Sequence, residues 1–219
     1  MRGTLPQIRP HVTALDSKIN SRSIPETFAE GQRYFMGQGS LNNALTQLAA
    51  DLKAHGIDYA VIGAVALLAH GYLRFTEDID LVLTREGLEK FHQELIGFGY
   101  APAFPGARKR MRSIPEGVSI EVMTTGEYPG DGKPKPVAMP DPALASIEID
   151  GVQFVTLEKL VELKIASGMT APDRLKDLAD VQELIKIRSL PKDFASRLHP
   201  YVRDKFLELS EAVEKGRTS

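Results

Sequence analysis

The 219-residue chain contains no cysteine. This absence excludes a disulfide framework, a thiolate metal site and a cysteine nucleophile. The formal net charge is only −2, so the chain as a whole would not attract nucleic acid or an anionic membrane. Any such attraction would have to come from local patches of charge.

Long apolar runs are also missing from the sequence. No stretch approaches the roughly 20 apolar residues that span a bilayer, and the first residues lack the apolar core of a signal peptide. We therefore expect a soluble, cytoplasmic protein with no membrane partner. The length suits one domain with an appendage or two small domains.

The most informative stretch of the sequence runs from Tyr59 to Thr84. An apolar run, Tyr-Ala-Val-Ile, ends at Gly63 and predicts a buried strand followed by a tight turn. The residues from Ala64 to His70 predict a short helix, and a second strand is expected to start near Phe75. The sequence thus predicts a strand, a glycine turn, a helix and a second strand in close succession.

Two aspartates interrupt the second strand. Asp78 and Asp80 are separated by one residue, so the alternation of side chains along a strand places both carboxylates on one face. The neighbouring Ile79, Leu81 and Leu83 make the strand otherwise apolar. Like charges on a buried strand repel each other and resist desolvation unless a cation neutralises them. An oxygen-ligated Mg²⁺ is the simplest cation to meet that need.

These residues resemble a known signature. Gly63-Ala64, thirteen further residues and then Asp78-Ile-Asp80-Leu is similar to the glycine turn and Asp-x-Asp of the polymerase β-type nucleotidyltransferase superfamily. The form Arg74-Phe-Thr76-Glu-Asp78-Ile-Asp80 resembles AbiEii-like and related small bacterial nucleotidyltransferases. A weaker resemblance extends over residues 41 to 187. It implies an α/β (α+β) fold in which a mixed sheet is flanked by helices and followed by a C-terminal helical part.

The resemblance also implies a nucleotide site with Mg²⁺ (or Mn²⁺) as cofactor and an NTP as substrate. Asp78 and Asp80 would be catalytic and would hold the metal. Gly63 lets the backbone come close to a triphosphate, which the following amides of the Ala64 helix would bind. A serine in place of Ala64 would supply a hydroxyl to phosphate, and alanine cannot. Arg74 would hold a phosphate or form a local ion pair, and Thr76 would position the start of the strand.

The resemblance also implies a third carboxylate on a strand beside the Asp-x-Asp strand. Residues 107–114 and 117–125 predict a hairpin around Pro115-Glu116, with Val118, Ile120 and Val122 on one face and Glu121 on the other. Glu121 is therefore the candidate third metal-binding and catalytic acid, although the family often has aspartate there. The alternative is an exposed glutamate on an edge strand. Four basic residues precede it and would bind phosphates or protect an edge strand: Arg108, Lys109, Arg110 and Arg112.

The rest of the chain predicts three regions: an N-terminal arm (1–40), a nucleotidyltransferase-like core (41–155) and a C-terminal helical region (156–219). In the core we expect a helix over 41–55 capped by Ser40, a helix over 85–98 whose apolar side includes Phe98, and an irregular loop over 126–146 that closes over substrate. Asp150-Gly151 predicts a hairpin turn.

The helical region begins with a helix capped by Thr156 that ends near Gly168. It places Lys164 on the apolar side, where a lysine needs a partner. The resemblance implies that this partner is the triphosphate; the alternative is an ion pair with Asp177 or Asp180. Further helices are expected over 172–188 and 192–215, with a kink or split near Pro200.

We therefore expect a metal-dependent nucleotidyltransferase that moves an NMP from an NTP to a hydroxyl and releases pyrophosphate. The acceptor would be an RNA 3′ end such as that of tRNA, a protein, or a small molecule such as an aminoglycoside. The alternative is a catalytically silent nucleotide- or partner-binding module of a toxin–antitoxin or phage-defence pair, whose partner would be a cognate antitoxin or another protein.

Overall fold

The computed structural model describes residues 39–217. Within them, seven strands form one mixed sheet with the order β3-β4-β5-β2-β1-β7-β6. The strands are β1 (Tyr59–Ile62), β2 (Asp78–Leu83), β3 (Tyr100–Pro102), β4 (Arg110–Ser113), β5 (Ser119–Thr124), β6 (Ser146–Ile149) and β7 (Val152–Val155). The predicted class, a mixed sheet flanked by helices and followed by a helical part, is confirmed.

Helices connect these strands and complete the C-terminal part. They are α1 (Ser40–Ala54), α2 (Gly63–Ala69), α3 (Arg85–Glu94), α4 (Pro142–Ala145), α5 (Leu157–Thr170), α6 (Leu175–Arg188) and α7 (Pro200–Arg217). Two 3₁₀ turns, Pro172–Arg174 and Lys192–Arg197, precede α6 and α7. Helix α5 packs on α6, and α6 packs on α7. None of the helices in residues 39–217 has the length and apolar character to cross a membrane.

The centre of the sheet is formed by β1, β2 and β5. Strand β1 pairs antiparallel with β2, and β2 pairs parallel with β5. The alternating side chains Ile79, Leu81, Ile120 and Val122 are fully buried. Because successive side chains point to opposite faces, the acidic residues of β2 and β5 are directed to the other face of the same strands.

The predicted hairpins are present. Strands β4 and β5 pair antiparallel, as do β6 and β7. Asp150 and Gly151 both have positive φ, 49° and 81°, which is the geometry of a two-residue hairpin turn. The predicted cap of α5 is also confirmed, since the Thr156 hydroxyl accepts a hydrogen bond from the Lys159 amide at 3.4 Å. The helix extends to Thr170, two residues beyond Gly168.

Three predicted boundaries are wrong. Helix α1 begins at Ser40, so its N-cap is Gly39 and not Ser40. Strand β2 begins at Asp78 and not near Phe75. Helix α3 ends at Glu94 because the chain turns at Gly97, where φ is 89°, and Phe98 is 78% exposed rather than part of the apolar side.

The C-terminal helices are divided as Pro200 suggests. A 3₁₀ turn over Lys192–Arg197 precedes α7, which begins at Pro200. The predicted loop over 126–146 is irregular only to residue 141, because Pro142–Ala145 forms the short helix α4. The predicted N-terminal arm, residues 1–40, lies outside the described residues except for its last two.

Candidate active site

The three predicted carboxylates lie on adjacent strands. In the parallel pair of β2 and β5, Asp80 is directly opposite Glu121 and Asp78 is opposite Ser119. Neighbouring strands lie about 4.8 Å apart, so the alternation of the two strands brings Asp78, Asp80 and Glu121 to one face of the sheet. Asp78 is exposed, whereas Asp80 and Glu121 are half-buried. The expectation that both aspartates sit in a buried strand therefore holds only for Asp80.

Gly63 lies directly against the Asp80 carboxylate. Its φ is +65°, and a Cβ at this position would lie 1.9 Å from Asp80 Oδ2. Both the backbone conformation and the close approach require glycine here. The glycine of the predicted turn therefore makes room for a carboxylate of the protein itself, in addition to any role that it has towards a phosphate.

Asp80 is the acid of this group whose ionisation is opposed by its surroundings. Burial raises the pKa of Asp80 to about 7, and the negative charges of Asp78 and Glu121 add to this rise. Lys164 and Arg174 oppose it without cancelling it. Asp80 is therefore a carboxylate that lacks sufficient positive charge nearby, and a cation bound beside it would lower its pKa again.

The other two acids have partners within the described residues. Thr76 donates its hydroxyl to Asp78 Oδ1. Arg110 contacts Glu121 Oε1 from the neighbouring strand β4, with its Nη2 at 3.3 Å. The side chain of Arg110 is 61% exposed, so this ion pair contributes little and can open.

Lys164 faces the acidic strands from helix α5. Its Nζ donates hydrogen bonds to Asp177 Oδ1 at 3.0 Å and to Asp180 Oδ2 at 2.7 Å. Lys164 is buried, as are both aspartates. The two ion-pair partners considered from the sequence are thus both present at once. Whether Lys164 also meets a phosphate stays a prediction.

Asp177 is the centre of this helical cluster. Its carboxylate also accepts hydrogen bonds from Ser167 Oγ at 2.7 Å and from Arg174 Nε at 2.8 Å. Burial alone would raise its pKa, but the charge of Lys164 and the hydrogen bonds from Ser167 and Lys164 hold the pKa of Asp177 below its ordinary value. Asp177 is therefore ionised in the folded protein and fixes the position of Lys164.

Arg74 belongs to the same cluster. Its Nη1 donates to Asp180 Oδ2 at 2.7 Å, across more than 100 positions of sequence. This partner is distant in the sequence, whereas a local ion pair was the alternative expected from the sequence. Arg74 links the segment before β2 to helix α6, so it holds the residues that precede Asp78 against this helix.

The acidic strands and the helical cluster line one cavity of about 420 Å³. A volume of this size suits a small ligand. All eight predicted site residues line it: Gly63, Ala64, Arg74, Thr76, Asp78, Asp80, Glu121 and Lys164. The strands line it with the carboxylates of Asp78, Asp80 and Glu121 and the guanidinium of Arg110, and the C-terminal helical part lines it with Lys164, Arg174 and Lys176 and the carboxylate of Asp177. The strand wall of the cavity is therefore mainly acidic and its helical wall mainly basic.

The donor set fits Mg²⁺, although it is not a complete metal cage. Within residues 39–217, no group of three or more His, Cys, Asp or Glu side chains is arranged to hold a metal ion by itself. Mg²⁺ is commonly held by one or two carboxylates together with substrate phosphates and water. Asp78 and Asp80 supply such a pair, and burial beside other acids raises the pKa of Asp80.

Several cavity residues had no clear sequence signal. Tyr128, Pro129 and Met139 line the cavity from the irregular loop, where no periodic pattern assigns a face. Lys176 lines it from the first turn of α6 and forms no ion pair among residues 39–217. Arg174 and Asp177 form an ion pair at i, i+3 that is not confined to the surface, because Asp177 is only 1% exposed.

The chain was compared with known proteins. No protein-family model matches it, and no curated protein matches it in sequence. Among solved structures, it is similar to an antigenic nucleotidyltransferase-like protein from Paracoccidioides brasiliensis, with 19% identity, a TM-score of 0.46, and coverage of 67% of this chain and 76% of that one.

Two further solved structures are similar. ANT(2")-Ia in complex with adenylyl-2"-tobramycin has 14% identity and a TM-score of 0.45, with 82% of this chain and 98% of that chain covered. JHP933 from Helicobacter pylori has 18% identity and a TM-score of 0.42, with 80% of this chain and 79% of that chain covered.

Proposed function

We propose that this protein is a metal-dependent nucleotidyltransferase that moves an NMP from an NTP to a hydroxyl acceptor and releases pyrophosphate. The observation that carries this proposal is the opposition of charge within one cavity of about 420 Å³. Carboxylates on the strand side suit a divalent cation, and cations on the helical side suit a triphosphate. A metal–triphosphate ligand carries both charges and would satisfy both walls.

Asp78 and Asp80 would hold the metal. The Asp80 carboxylate is positioned by its contact with Gly63 and the Asp78 carboxylate by the hydroxyl of Thr76. A bound divalent cation would supply Lewis acidity at a phosphoryl oxygen and would lower the pKa of an acceptor hydroxyl. Glu121 lies opposite Asp80 and would complete the metal site or take the proton of that hydroxyl once Arg110 moves away.

The helical wall would bind the negative charge of the triphosphate. Lys164 is held by Asp177 and Asp180, so its ammonium group is preorganised. Lys176 has no ion-pair partner within residues 39–217 and would contact phosphate oxygens directly. Fixed cations beside a leaving pyrophosphate stabilise the charge that develops on it.

Incorporation of label would test this function. Each of the four NTPs, labelled at the α-phosphate, would be incubated with the protein and Mg²⁺ or Mn²⁺. The acceptors would be bulk tRNA, total cell protein, aminoglycosides and the protein itself. We expect label in one class of acceptor and none with the Asp78→Asn/Asp80→Asn variant. Label that persists in this variant would contradict the assigned site.

Two observations favour the second candidate, a nucleotide- or partner-binding module without catalysis. Glu121 is paired with Arg110, and Ala64 lacks the hydroxyl that serine would offer. If Mg²⁺ and NTP raise the melting temperature through Asp78 and Asp80 while no acceptor is labelled, the module is favoured. A partner such as an antitoxin would then be sought by copurification.

A further inference from the structure

Part of the cavity lining is apolar and offers no ligand for a metal or a triphosphate. It comes from β5, from α5 and from the loop over residues 126–141, which we call the cavity loop. The lining residues that these three elements contribute to it are Met123, Tyr128, Pro129, Met139, Leu160 and Leu163. Tyr128 is the only aromatic residue among the described residues that line the cavity.

This apolar region begins directly beside the acidic strands. Met123 and Glu121 are two residues apart on β5, so they share a face and lie about 7 Å from each other along the strand. A ligand whose phosphates lie at the acidic strands can therefore extend an uncharged group over Met123 towards the cavity loop.

Hydrogen bonds at the base of the cavity loop fix the chain on the N-terminal side of Tyr128. Gly126 N donates to Met139 O at 2.9 Å, and Met139 N donates to Glu127 O at 2.7 Å. The Glu127 carboxylate accepts from the Thr124 amide at 3.0 Å and from Lys109. These bonds join the start of the loop to its return segment and to the end of β5.

The segment is also fixed on its other side, at helix α5. A Cβ on Gly130 would lie 2.5 Å from Thr170 Oγ1 and 2.8 Å from Ser167 O, so the backbone there lies directly on the helix. Lys135 Nζ donates to Pro129 O at 2.5 Å. Tyr128 thus lies between two fixed points of the chain, and this half-buried residue lines the cavity.

The chemistry of this region suits a flat aromatic group. The Tyr128 hydroxyl has no hydrogen-bond partner within residues 39–217, so no bond of its own turns the ring away from the cavity. An aromatic side chain stacks on any nucleobase, because every base has a π face. The neighbouring Met, Leu and Pro side chains offer no donor or acceptor of the strength needed to read the edge of a base.

We propose that Tyr128 is the stacking surface for the nucleobase of the NTP and that the cavity selects nucleotides by stacking rather than by the hydrogen-bonding edge of the base. This inference rests on the proposed nucleotide-binding function. It predicts that ATP and GTP bind with similar affinity and that pyrimidine NTPs, whose rings are smaller, bind more weakly.

The test compares a nucleotide with a ligand that lacks a base. Affinities for ATP and for inorganic tripolyphosphate would be measured by calorimetry in Mg²⁺ with the full chain. Tyr128→Ala should weaken ATP binding about tenfold and leave tripolyphosphate binding unchanged. Tyr128→Phe keeps the ring and should retain ATP affinity within about threefold.

Two glycines of the cavity loop provide a matched second test. Gly130→Ala should displace Tyr128, because its Cβ meets helix α5, whereas Gly132→Ala meets no atom within 4 Å. Both have positive φ, 73° and 71°, so they carry the same backbone strain. We expect Gly130→Ala to weaken ATP binding more than Gly132→Ala.

The outcomes separate the inference from the function on which it rests. Equal loss of ATP and tripolyphosphate binding in Tyr128→Ala, or the same loss in Tyr128→Phe, would assign the hydroxyl to a phosphate and overturn the stacking role. Unchanged ATP binding in Tyr128→Ala would overturn it as well, while the proposed function would stand. If the folded wild-type protein bound neither ligand, both proposals would be refuted.

Discussion

Replacing Asp80 with asparagine should stabilise the metal-free protein, and the gain should depend on pH. The folded state raises the pKa of Asp80 from 3.8 to about 7. Between these values the folded protein holds a proton that the unfolded chain has released, so stability falls as the pH rises. At about 1.4 kcal/mol per pKa unit, the full penalty above pH 7 is about 4 kcal/mol.

Asparagine has nearly the same shape as aspartate and no charge, so Asp80→Asn removes this penalty. About 3 kcal/mol of the penalty develops between pH 5 and pH 8. The free energy of unfolding would be measured by urea denaturation at both pH values with EDTA present. The gain from Asp80→Asn should therefore be about 3 kcal/mol larger at pH 8 than at pH 5.

Asp204→Asn is the matched control, because Asp204 is exposed on α7 and has no ion pair within residues 39–217. We expect it to change stability by less than about 0.5 kcal/mol at either pH. An Asp80→Asn gain that is the same at pH 5 and pH 8 would refute the reasoning. It would mean that Asp80 is not forced to ionise beside Asp78 and Glu121.

Three further predictions test the surroundings of the site by urea denaturation. Gly63→Ala should destabilise the protein by about 1 to 3 kcal/mol or more. The loss should exceed that of Gly71→Ala, because only the Cβ at position 63 meets Asp80. Equal losses of stability in the two variants would contradict this contact. Asp177→Ala should lower the free energy of unfolding by about 3 to 5 kcal/mol, because it leaves Lys164 without one of its buried partners. A loss of stability no larger than that caused by Asp173→Ala, at an exposed position, would argue against the cluster. Ser189→Gly should stabilise by about 1 kcal/mol, since Ser189 ends α6 with φ 48°; a decrease would contradict that backbone conformation.

The centre of the site was predictable from the sequence because it depends on local geometry. The two-residue period of a strand places Asp78 and Asp80 together, and the same period on the predicted hairpin selects Glu121. That β5 lies beside β2 followed from the family resemblance, and the structure confirms this neighbour.

The contribution of the loop could not be predicted in the same way. Tyr128 lies in irregular backbone, where no period assigns a side chain to a face, and its place depends on contacts with α5 forty positions away. The errors at Ser40 and Phe98 have a common cause. Each of these residues follows a glycine with positive φ, Gly39 before Ser40 and Gly97 before Phe98. The spacing of apolar residues does not mark these glycines as limits of the helices.

Binding of NTP in the presence and absence of Mg²⁺ is the most direct test of the central claim that the two charged walls form a metal–triphosphate site. The measurement is calorimetric titration of the wild-type protein and of the Asp78→Asn/Asp80→Asn variant with each NTP, after circular dichroism shows that both are folded. The account predicts NTP binding that requires Mg²⁺ in the wild type and is lost in the variant. No NTP binding by the wild type, or equal Mg²⁺-dependent binding by the variant, would contradict it.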